Sequence, residues 1–301
     1  MPAEGLEWLS RDSVLTDDEI HRLTRIAVSR LGIRSIRITG GEPLLRRGLP
    51  ELVHRISVLS PAPGISLTTN GVALARLAQP LRAAGLERVN VSLDTLRRER
   101  FREITRRDHL QRVLDGLAAA RDAGLRPVKI NAVLMRGVNE DEIVDLVSFA
   151  VEGGYQMRFI ESMPLDAQGA WERERMISAD EILAVLGSRM TLQPVSRSDD
   201  DSAPAEEWRI AGTDSVVGVI ASVTRPFCGS CNRLRLTADG QLRTCLFATD
   251  ESDLRGLMRG GADDAEIAAA WRRAVAGKGP GHAIGAVDFK QPDRPMSAIG
   301  G

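Results

Sequence analysis

Strands and helices alternate along the chain as far as about residue 161, and this order limits the folds that the chain can adopt. The predicted strands cover residues 34–39, 65–69, 87–93, 127–134 and 156–161. The predicted helices between them cover residues 16–31, 48–59, 73–84, 97–123 and 140–152. Strands that alternate with helices form a parallel sheet with right-handed crossovers. The sequence therefore predicts an α/β fold with an open or partial parallel β/α barrel.

Apolar and polar side chains alternate within four of these strands. The apolar members are Ile36, Ile38, Ile65, Leu67, Val89, Val91, Val128 and Ile130, and the polar members include Arg37, Thr68, Asn90, Lys129 and Asn131. Successive side chains lie on opposite faces of a strand, so the apolar set can pack on the helices while the polar set lines a shared interior. A packed barrel would fill that interior with apolar residues. The pattern favours a cavity for a polar ligand over a half-exposed sheet.

The pattern changes after Glu161. Short strands are predicted near residues 207–211, 216–222, 232–237 and 241–245, and helices near 251–259 and 263–276. Capping patterns in which Ser, Thr or Asn precedes Glu by three residues mark helix starts at Thr16, Asn139 and Ser178. We therefore divide the chain into a partial barrel over residues 1–165 and a C-terminal region over residues 166–301 with a small antiparallel sheet.

The charge balance excludes several classes of function. With 40 basic and 41 acidic residues the net charge is −1, whereas non-specific binding to nucleic acid or to a membrane surface needs a basic excess. An anionic substrate would therefore need a local cluster of cations. No apolar run is long enough to span a membrane and no signal peptide is evident, so we expect a cytoplasmic protein.

Three cysteines, the only ones in the chain, fall within eighteen residues of one another: Cys228, Cys231 and Cys245. This spacing in a chain without a disulfide framework indicates a metal site. Structural zinc takes four ligands, and His282 is the only histidine in the second half that could supply the fourth. An iron–sulfur cubane held by three cysteines would keep one iron open for substrate. Nearby, Arg233 and Arg235 share one face of a predicted strand and offer fork-like donors suited to phosphate.

Several segments together resemble the GTP 3′,8-cyclase family, the molybdenum cofactor biosynthesis protein A of the radical S-adenosylmethionine superfamily. They are Arg37 to Pro43, Thr68 to Gly71, Asn90 to Asp94, Val128 to Asn131, Arg158 to Glu161, Phe227 to Arg235, Cys245 to Phe247 and Gly300–Gly301. The Gly-Gly-Glu-Pro loop indicates only the superfamily. The cysteine spacing followed by Asn-Arg-Leu-Arg, together with the Gly-Gly end, is specific to the family.

The resemblance implies roles for particular residues. The implied contacts to S-adenosylmethionine are Gly41, Glu42, Ser92 and Met163. The implied contacts to GTP are Arg37, Thr68, Lys129, Arg233, Leu234 and Arg235, with Arg158, Gly300 and Gly301 as further candidates. A 4Fe-4S cluster on the three cysteines would hold guanine through its open iron.

The resemblance also implies a reaction and its partners. GTP is converted to 3′,8-cyclo-7,8-dihydro-GTP by a 5′-deoxyadenosyl radical, which a second 4Fe-4S cluster generates from S-adenosylmethionine. The product passes to cyclic pyranopterin monophosphate synthase in molybdenum cofactor biosynthesis. A homodimer is compatible with this resemblance, and neither nucleic acid nor membrane is an expected partner.

The sequence departs from the family at its beginning. The radical-generating cluster needs a Cys-x3-Cys-x2-Cys loop, and this sequence contains none. In the family, the segment that resembles Met1 to Gly5 directly follows the third of those cysteines. We therefore expect the sequence to begin one residue too late, without the first barrel strand, and the 301-residue chain alone to be inactive.

Two other functions are compatible with the residues. A radical enzyme of another family with an auxiliary cluster, such as a peptide-modifying one, would usually carry more cysteines. A non-catalytic nucleotide-binding or zinc-binding remnant would carry zinc in place of iron at the cysteines.

Overall fold

The computed structural model describes residues 9–165, 171–196 and 203–279, together with residues 281, 284, 289, 291, 292 and 294. Within its first half, helices and strands alternate as predicted. The elements are α1 (Asp17–Leu31), β1 (Ser35–Ile38), α2 (Leu49–Ser57), β2 (Gly64–Thr69), α3 (Leu74–Ala83), β3 (Arg88–Ser92), α4 (Arg98–Thr105), α5 (Leu110–Asp122), β4 (Val128–Leu134), α6 (Ile143–Gly153) and β5 (Gln156–Glu161). Strands β1 to β5 pair in parallel and in chain order, which confirms the predicted α/β fold.

The predicted helix over residues 97–123 is in fact two helices, α4 and α5. Helix α4 ends at Thr105, because the φ of 58° at the next residue, Arg106, lies in the left-handed region and cannot continue a right-handed helix. Leu110 begins α5 four residues after Arg106. The sequence carries no Gly or Pro at this point, so the break had no signal in the usual helix-stopping residues.

The large sheet continues into the second half of the chain. After α7 (Ala179–Gly187) come β6 (Leu192–Pro194), β7 (Glu206–Ile210) and β8 (Val216–Ile220). Strand β8 pairs with β5 in parallel, and β7 and β6 follow in antiparallel order, so the sheet has the order β1-β2-β3-β4-β5-β8-β7-β6. Six strands therefore run parallel in this sheet, one more than the sequence pattern predicted.

A small antiparallel sheet and two helices complete the described C-terminal region. The sheet contains β9 (Arg235–Leu236), β10 (Gln241–Arg243) and β11 (Ser252–Asp253), and the helices are α8 (Leu254–Arg259) and α9 (Asp264–Ala276). These elements form an apolar core with α1, in which Leu23, Ile267 and Trp271 are buried. The first helix of the chain thus packs against the last, and ion pairs from Arg22 and Arg25 to Asp264 lie at the edge of this core.

Two of the three predicted helix caps are confirmed. Thr16 with Glu19, and Ser178 with Glu181, form capping boxes at α1 and α7. At Asn139 the predicted helix start is right, because this residue precedes the 3-10 turn Glu140–Glu142 that leads into α6. Its fully buried side chain makes no capping hydrogen bond, however, and binds backbone groups after β3 and at the end of β4 instead. Its amide nitrogen donates to the carbonyls of Asp94 and Val133, and its oxygen accepts from the Met135 N–H.

The apolar and polar faces of the strands separate as the alternation predicted. Ile65, Leu67, Val89, Val91 and Ile130 are fully buried in the core between sheet and helices. The opposite face carries Thr68, Lys129 and Asn131, which are only half-buried. The face that a packed barrel would fill with apolar side chains is polar here, and it positions the candidate site.

Candidate functional site

Cations from three strands meet on the polar face of the large sheet. Arg37 lies on β1, Lys129 on β4 and Arg158 on β5, next to Asn131 in the strand register. In a flat sheet β1 and β5 would be about 19 Å apart, since neighbouring strands are spaced by about 4.8 Å. Arg37 nevertheless lies close enough to Arg158 for the two charges to repel. This proximity is what a sheet curved around its polar face produces, and we call the concave face the cation cleft.

The cation cleft lowers the pKa of its own basic groups. Removal of water around Lys129 and the charge of Arg158 lower its pKa from the usual lysine value to about 8, against the opposing effect of Glu207. Arg37 is exposed to solvent in the cleft, yet partial loss of hydration and repulsion from Arg158 also lower its pKa. Cations held together at this cost in free energy indicate an anionic ligand.

Three buried polar atoms on this face have no hydrogen-bond partner among the described residues. They are Nε of Arg88, Oδ1 of Asn131 and Nε of Arg158. A buried polar atom without a partner destabilises a fold, and nearly all such atoms in proteins bind another group or an ordered water. Two donors and one acceptor left open in the cation cleft fit a ligand with its own polar groups.

The residues assigned to S-adenosylmethionine lie where parallel strands end. Gly41 and Glu42 follow β1, Ser92 is the last residue of β3, and Met163 follows β5. Gly40 has a φ of 150°, a conformation that side chains rarely adopt, which explains a glycine before Gly41. The carboxyl ends of parallel strands are where α/β sheets bind ligands. The described structure thus brings these four positions to one edge of the sheet.

The carboxylate of Glu42 is already engaged in this structure. One oxygen accepts hydrogen bonds from the Leu44 N–H and the Thr69 hydroxyl, and the other accepts from the Asn70 N–H. These bonds tie the glycine loop to the end of β2. The bond from Leu44 also caps the 3-10 turn Pro43–Leu45, and the three bonds together leave only part of the Glu42 acceptor capacity for an amino group.

Two further carboxylates of the family-like segments bind backbone groups. Glu161 is fully buried and accepts hydrogen bonds from the Ala179, Val223 and Thr224 N–H groups and from the Thr224 hydroxyl. It therefore joins β5 to the start of α7 and to the segment that leads to Cys228. Asp94 accepts from the Val133 N–H, and burial raises the pKa of Asp94 to about 6.

The three cysteines are free, half-buried thiols. Cys228 begins a 3-10 turn that ends before Cys231, and Cys245 lies just after β10. The Arg233 Nε donates to the Cys231 sulfur at 3.3 Å, and the Phe247 N–H donates to the Cys245 sulfur at 3.4 Å. Burial opposes ionisation of Cys231, but the hydrogen bonds from Arg233 and the charges of Arg233 and Lys278 outweigh it and lower the pKa of this thiol.

Among the described residues, no group of three His, Cys, Asp or Glu side chains is arranged to hold a single metal ion. The donor chemistry nevertheless fits a cluster, because N–H groups and cations aimed at sulfur favour the thiolate form that binds iron. A cubane also spaces its ligands more widely than a single ion does. His282, the one candidate for a fourth zinc ligand, lies outside the described residues.

The arginines after the cysteines link the cysteine region to the cation cleft. Arg233 is exposed and stacks over the Phe227 ring at 4.9 Å, and Leu234 is half-buried beside it. Arg235, the first residue of β9, is half-buried, and desolvation followed by repulsion from Arg233 lowers its pKa to about 10. Arg235 also lies within electrostatic reach of Cys245 and Arg37. Gly300 and Gly301 lie outside the described residues.

Sequence reasoning missed two residues of the cation cleft. Glu207 on β7 forms an ion pair with Arg158, and Gly218 on β8 lies between them in the strand register. Neither residue belongs to a motif, and both depend on β8 joining β5. Arg88 lies two residues before Asn90 on β3, and residues two apart on a strand share a face, so its place in the cleft could have been inferred from the sequence.

Two family models match consecutive parts of the chain. The Radical SAM superfamily model matches residues 6–150, and the Molybdenum Cofactor Synthesis C model matches residues 155–284. Among solved structures, SuiB of Streptococcus suis bound to S-adenosylmethionine is similar in fold, with a TM-score of 0.57 and 14% sequence identity. That similarity covers 79% of this chain and 56% of SuiB. Fold and family models together define a protein of the radical S-adenosylmethionine superfamily.

Curated relatives identify the family within that class. The GTP 3′,8-cyclase of Streptomyces coelicolor is 59% identical over 301 residues, which are 100% of this chain and 88% of the relative. GTP 3′,8-cyclase 2 of Mycobacterium tuberculosis is 56% identical over an alignment that covers 100% of this chain and 84% of the relative. The chain belongs to the GTP 3′,8-cyclase family. None of the helices in the described part of the chain is long and apolar enough to cross a membrane.

Proposed function

We propose that this protein converts GTP to 3′,8-cyclo-7,8-dihydro-GTP in molybdenum cofactor biosynthesis. The observation that carries the proposal is the position of Arg235. Arg235 lies within electrostatic reach both of Arg37 in the cation cleft and of Cys245. A nucleotide bound beside Arg235 would meet cations and the cysteine region at once, as a substrate with a triphosphate and a metal-binding base requires.

The triphosphate is the part of GTP that the cation cleft suits. Lys129 has no hydrogen bond or ion pair with other described side chains, so its ammonium is available to an anion. The guanidinium groups of Arg158, Arg37, Arg233 and Arg235 all lie within electrostatic reach of one another or of Lys129. Charge-assisted hydrogen bonds from several cations to one phosphate chain supply both affinity and orientation. Thr68, hydrogen-bonded to Asn90 on the same face, adds a hydroxyl donor.

S-adenosylmethionine is assigned to the edge where β1, β3 and β5 end. Gly41 allows backbone to approach the ligand closely, Ser92 presents an exposed hydroxyl, and Met163 offers a half-buried apolar surface. Glu42 orders the loop that carries Gly41. When bound, S-adenosylmethionine and its reduced 4Fe-4S cluster supply the radical that removes hydrogen from the ribose. The chain orients the ribose and the base, and its enclosing sheet limits access of water.

Cys228, Cys231 and Cys245 would hold the auxiliary 4Fe-4S cluster. The hydrogen bond and charge of Arg233 favour the thiolate of Cys231, and the Phe247 N–H donates to the sulfur of Cys245. A cluster with three protein ligands leaves one iron for guanine.

Four further statements belong to the proposal. The chain divides into its two regions at residue 165, and the protein is a cytoplasmic homodimer. Its product passes to cyclic pyranopterin monophosphate synthase.

Binding and turnover test this function separately. We expect the anaerobically reconstituted chain to bind GTP much more tightly than ATP, because guanine and not adenine suits the proposed base site. In the protein loaded with both clusters, GTP with S-adenosylmethionine and a strong reductant should yield 3′,8-cyclo-7,8-dihydro-GTP, detected by mass spectrometry. Equal affinity for ATP and GTP, or zinc without iron at the cysteines, would contradict the proposal.

A further inference from the structure

The side chain of Arg158 forms an ion pair with a residue on a strand that is not adjacent to its own. Its Nη2 donates to Oε1 of Glu207 at 2.9 Å, and the two side chains are 7% and 32% exposed. Arg158 lies on β5 and Glu207 on β7, with β8 between them. A side chain must therefore cross the intervening strand to make this ion pair.

Gly218 of β8 provides the gap that this crossing needs. In the strand register Arg158 is opposite Gly218, and Gly218 is opposite Glu207, so the three residues share one face. A Cβ at Gly218 would lie 3.3 Å from Cγ of Arg158 and 3.2 Å from Cβ of Ala205. Both distances are shorter than ordinary van der Waals contact, so a larger residue would displace the Arg158 side chain.

Glu207 is the one carboxylate among the groups that act on Lys129 in the described cleft. Arg158 on β5, Arg37 on β1 and Arg88 on β3 all repel the ammonium, whereas Glu207 on β7 attracts it. The other side of Arg158 keeps its buried Nε without a partner among the described residues. One carboxylate thus fixes Nη2 of a guanidinium whose buried Nε has no partner among the described residues.

We infer that Glu207 is a positioning residue of the proposed GTP site, which holds the Arg158 guanidinium through the gap at Gly218 and offsets the positive charge around Lys129. This inference rests on the proposed function, because the affinity it concerns is that for GTP. Without the Glu207 charge, Lys129 would lose its proton at a lower pH and bind phosphate more weakly. The carboxylate would therefore strengthen binding of an anion, although it carries the same sign of charge as the ligand.

The dependence of GTP affinity on pH tests this inference. The dissociation constant is measured by anaerobic calorimetry from about pH 6.5 to about pH 9 for wild type and Glu207→Gln. The amide oxygen introduced by Glu207→Gln can still accept the hydrogen bond from Arg158, so we expect the two proteins to differ little at the low end. The ratio of their dissociation constants should grow about three- to tenfold toward the high end, where only the lost charge acts. Ionisation of GTP is common to both proteins and cancels in that ratio. The matched control is Glu206→Gln. Glu206 lies on the same strand, but its carboxylate forms an ion pair with Arg225.

A second pair of variants separates the effect of the Glu207 charge on Lys129 from the effect of the gap at Gly218 on Arg158. In a Lys129→Arg background the residue at 129 stays protonated, so Glu207→Gln should no longer change the pH profile. Gly218→Ala should weaken GTP binding about threefold at every pH, because its methyl group pushes the Arg158 side chain aside without removing a charge. Circular dichroism and thermal unfolding show whether each variant is folded.

These measurements distinguish an error in the proposed function from an error in the role of Glu207. A wild-type chain that does not bind GTP contradicts the proposed function itself. A wild type that binds GTP, with a Glu207→Gln profile parallel to it, contradicts only the role of Glu207. A Glu207→Gln effect that persists in the Lys129→Arg background would likewise overturn the proposed action on Lys129.

Discussion

The cation cleft and the cysteine region hold their functional side chains by different means. In the cleft, Lys129 and Arg158 stand on neighbouring strands whose hydrogen-bond register fixes their spacing. In the cysteine region, Cys228 and Cys231 stand in a short turn and Cys245 in a loop, all half-buried. A sheet can hold repelling cations in place before a ligand arrives. Loops that bind metal commonly reach their final arrangement only with the metal, because binding and folding are coupled. We therefore expect the cleft to be preorganised and the cysteine region to depend on its cluster.

Among the substitutions that test this difference between the two regions, loss of one cysteine should have the largest effect, and it should act on the iron content. Replacing Cys228, Cys231 or Cys245 with Ala should reduce iron from about four atoms per reconstituted chain to almost none, because each is one of three cluster ligands. Iron is measured colorimetrically together with the visible absorption of the cluster. Ser230→Ala, in the same turn, is the matched control and should keep its iron. Full iron retention in the cysteine variants would show that the cluster does not lie there.

Glu161 connects the two regions, and its removal should cost the most stability. Glu161→Ala leaves the buried N–H groups of Ala179 and Val223, and the part-buried N–H of Thr224, without an acceptor, so we expect the free energy of unfolding to fall by about 3–5 kcal/mol. Urea denaturation measures this change. Glu152→Ala, at an exposed helix position, should change stability by less than about 0.5 kcal/mol. Equal effects of the two substitutions would mean that the regions are not joined through Glu161.

Removing cations from the cleft should weaken GTP binding and leave the iron content unchanged. Lys129→Ala and Arg235→Ala each remove a charged donor to phosphate, and we expect each to weaken GTP binding by about 1.5–3 kcal/mol, at least tenfold. Arg112→Ala removes an exposed positive charge from α5 and serves as the control. Calorimetry and iron analysis on the same samples separate the two regions. A loss of iron in Lys129→Ala would mean that cleft and cluster are not independent.

The lowered pKa of Lys129 gives GTP binding a pH dependence. Lys129 binds phosphate only when protonated, so affinity should be highest below pH 8 and fall as pH rises through about 8. The dissociation constant of GTP across this range measures the effect, after correction for the ionisation of GTP itself. Lys129→Arg should flatten the profile. A wild-type profile without any fall near this pH would place Lys129 outside the binding site.

Arg106 offers a small stability test far from both regions. Its φ of 58° is unfavourable for a side chain and favourable for glycine. Arg106→Gly should therefore raise the free energy of unfolding by about 0.5–1 kcal/mol. Arg107→Gly, its exposed neighbour without a positive φ, should lower stability slightly through the unfolded chain. Urea denaturation of both variants distinguishes the backbone effect from loss of an arginine.

The sequence predicted the parts of the fold that local periodicity controls. Alternation in strands such as Val128–Leu134 follows from a two-residue period, and it separated Lys129 and Asn131 from Val128 and Ile130 correctly. It could not predict that β8 pairs with β5, because a short apolar run such as Val216–Ile220 can join any open sheet edge. The ion pair of Arg158 with Glu207 depends on that distant pairing, and therefore had no sequence signal.

The candidate site divides in the same way. Candidate ligands could be selected by residue type and spacing, as with the three cysteines and the arginines after them. The use of a side chain depends on its neighbours in space. Asn139 resembles a helix cap and instead binds three backbone groups, and Glu42 resembles a ligand contact while it accepts three hydrogen bonds from its own chain.

The central claim is that the cysteine region carries an iron–sulfur cluster that faces a nucleotide held by the cation cleft. Mössbauer spectroscopy of the chain reconstituted with ⁵⁷Fe, recorded with and without GTP, tests it most directly. We expect the signal of one iron of the cluster to change when GTP binds, and the change to be absent with ATP and in Lys129→Ala at the same GTP concentration. A cluster spectrum that stays the same while GTP is demonstrably bound would contradict the account.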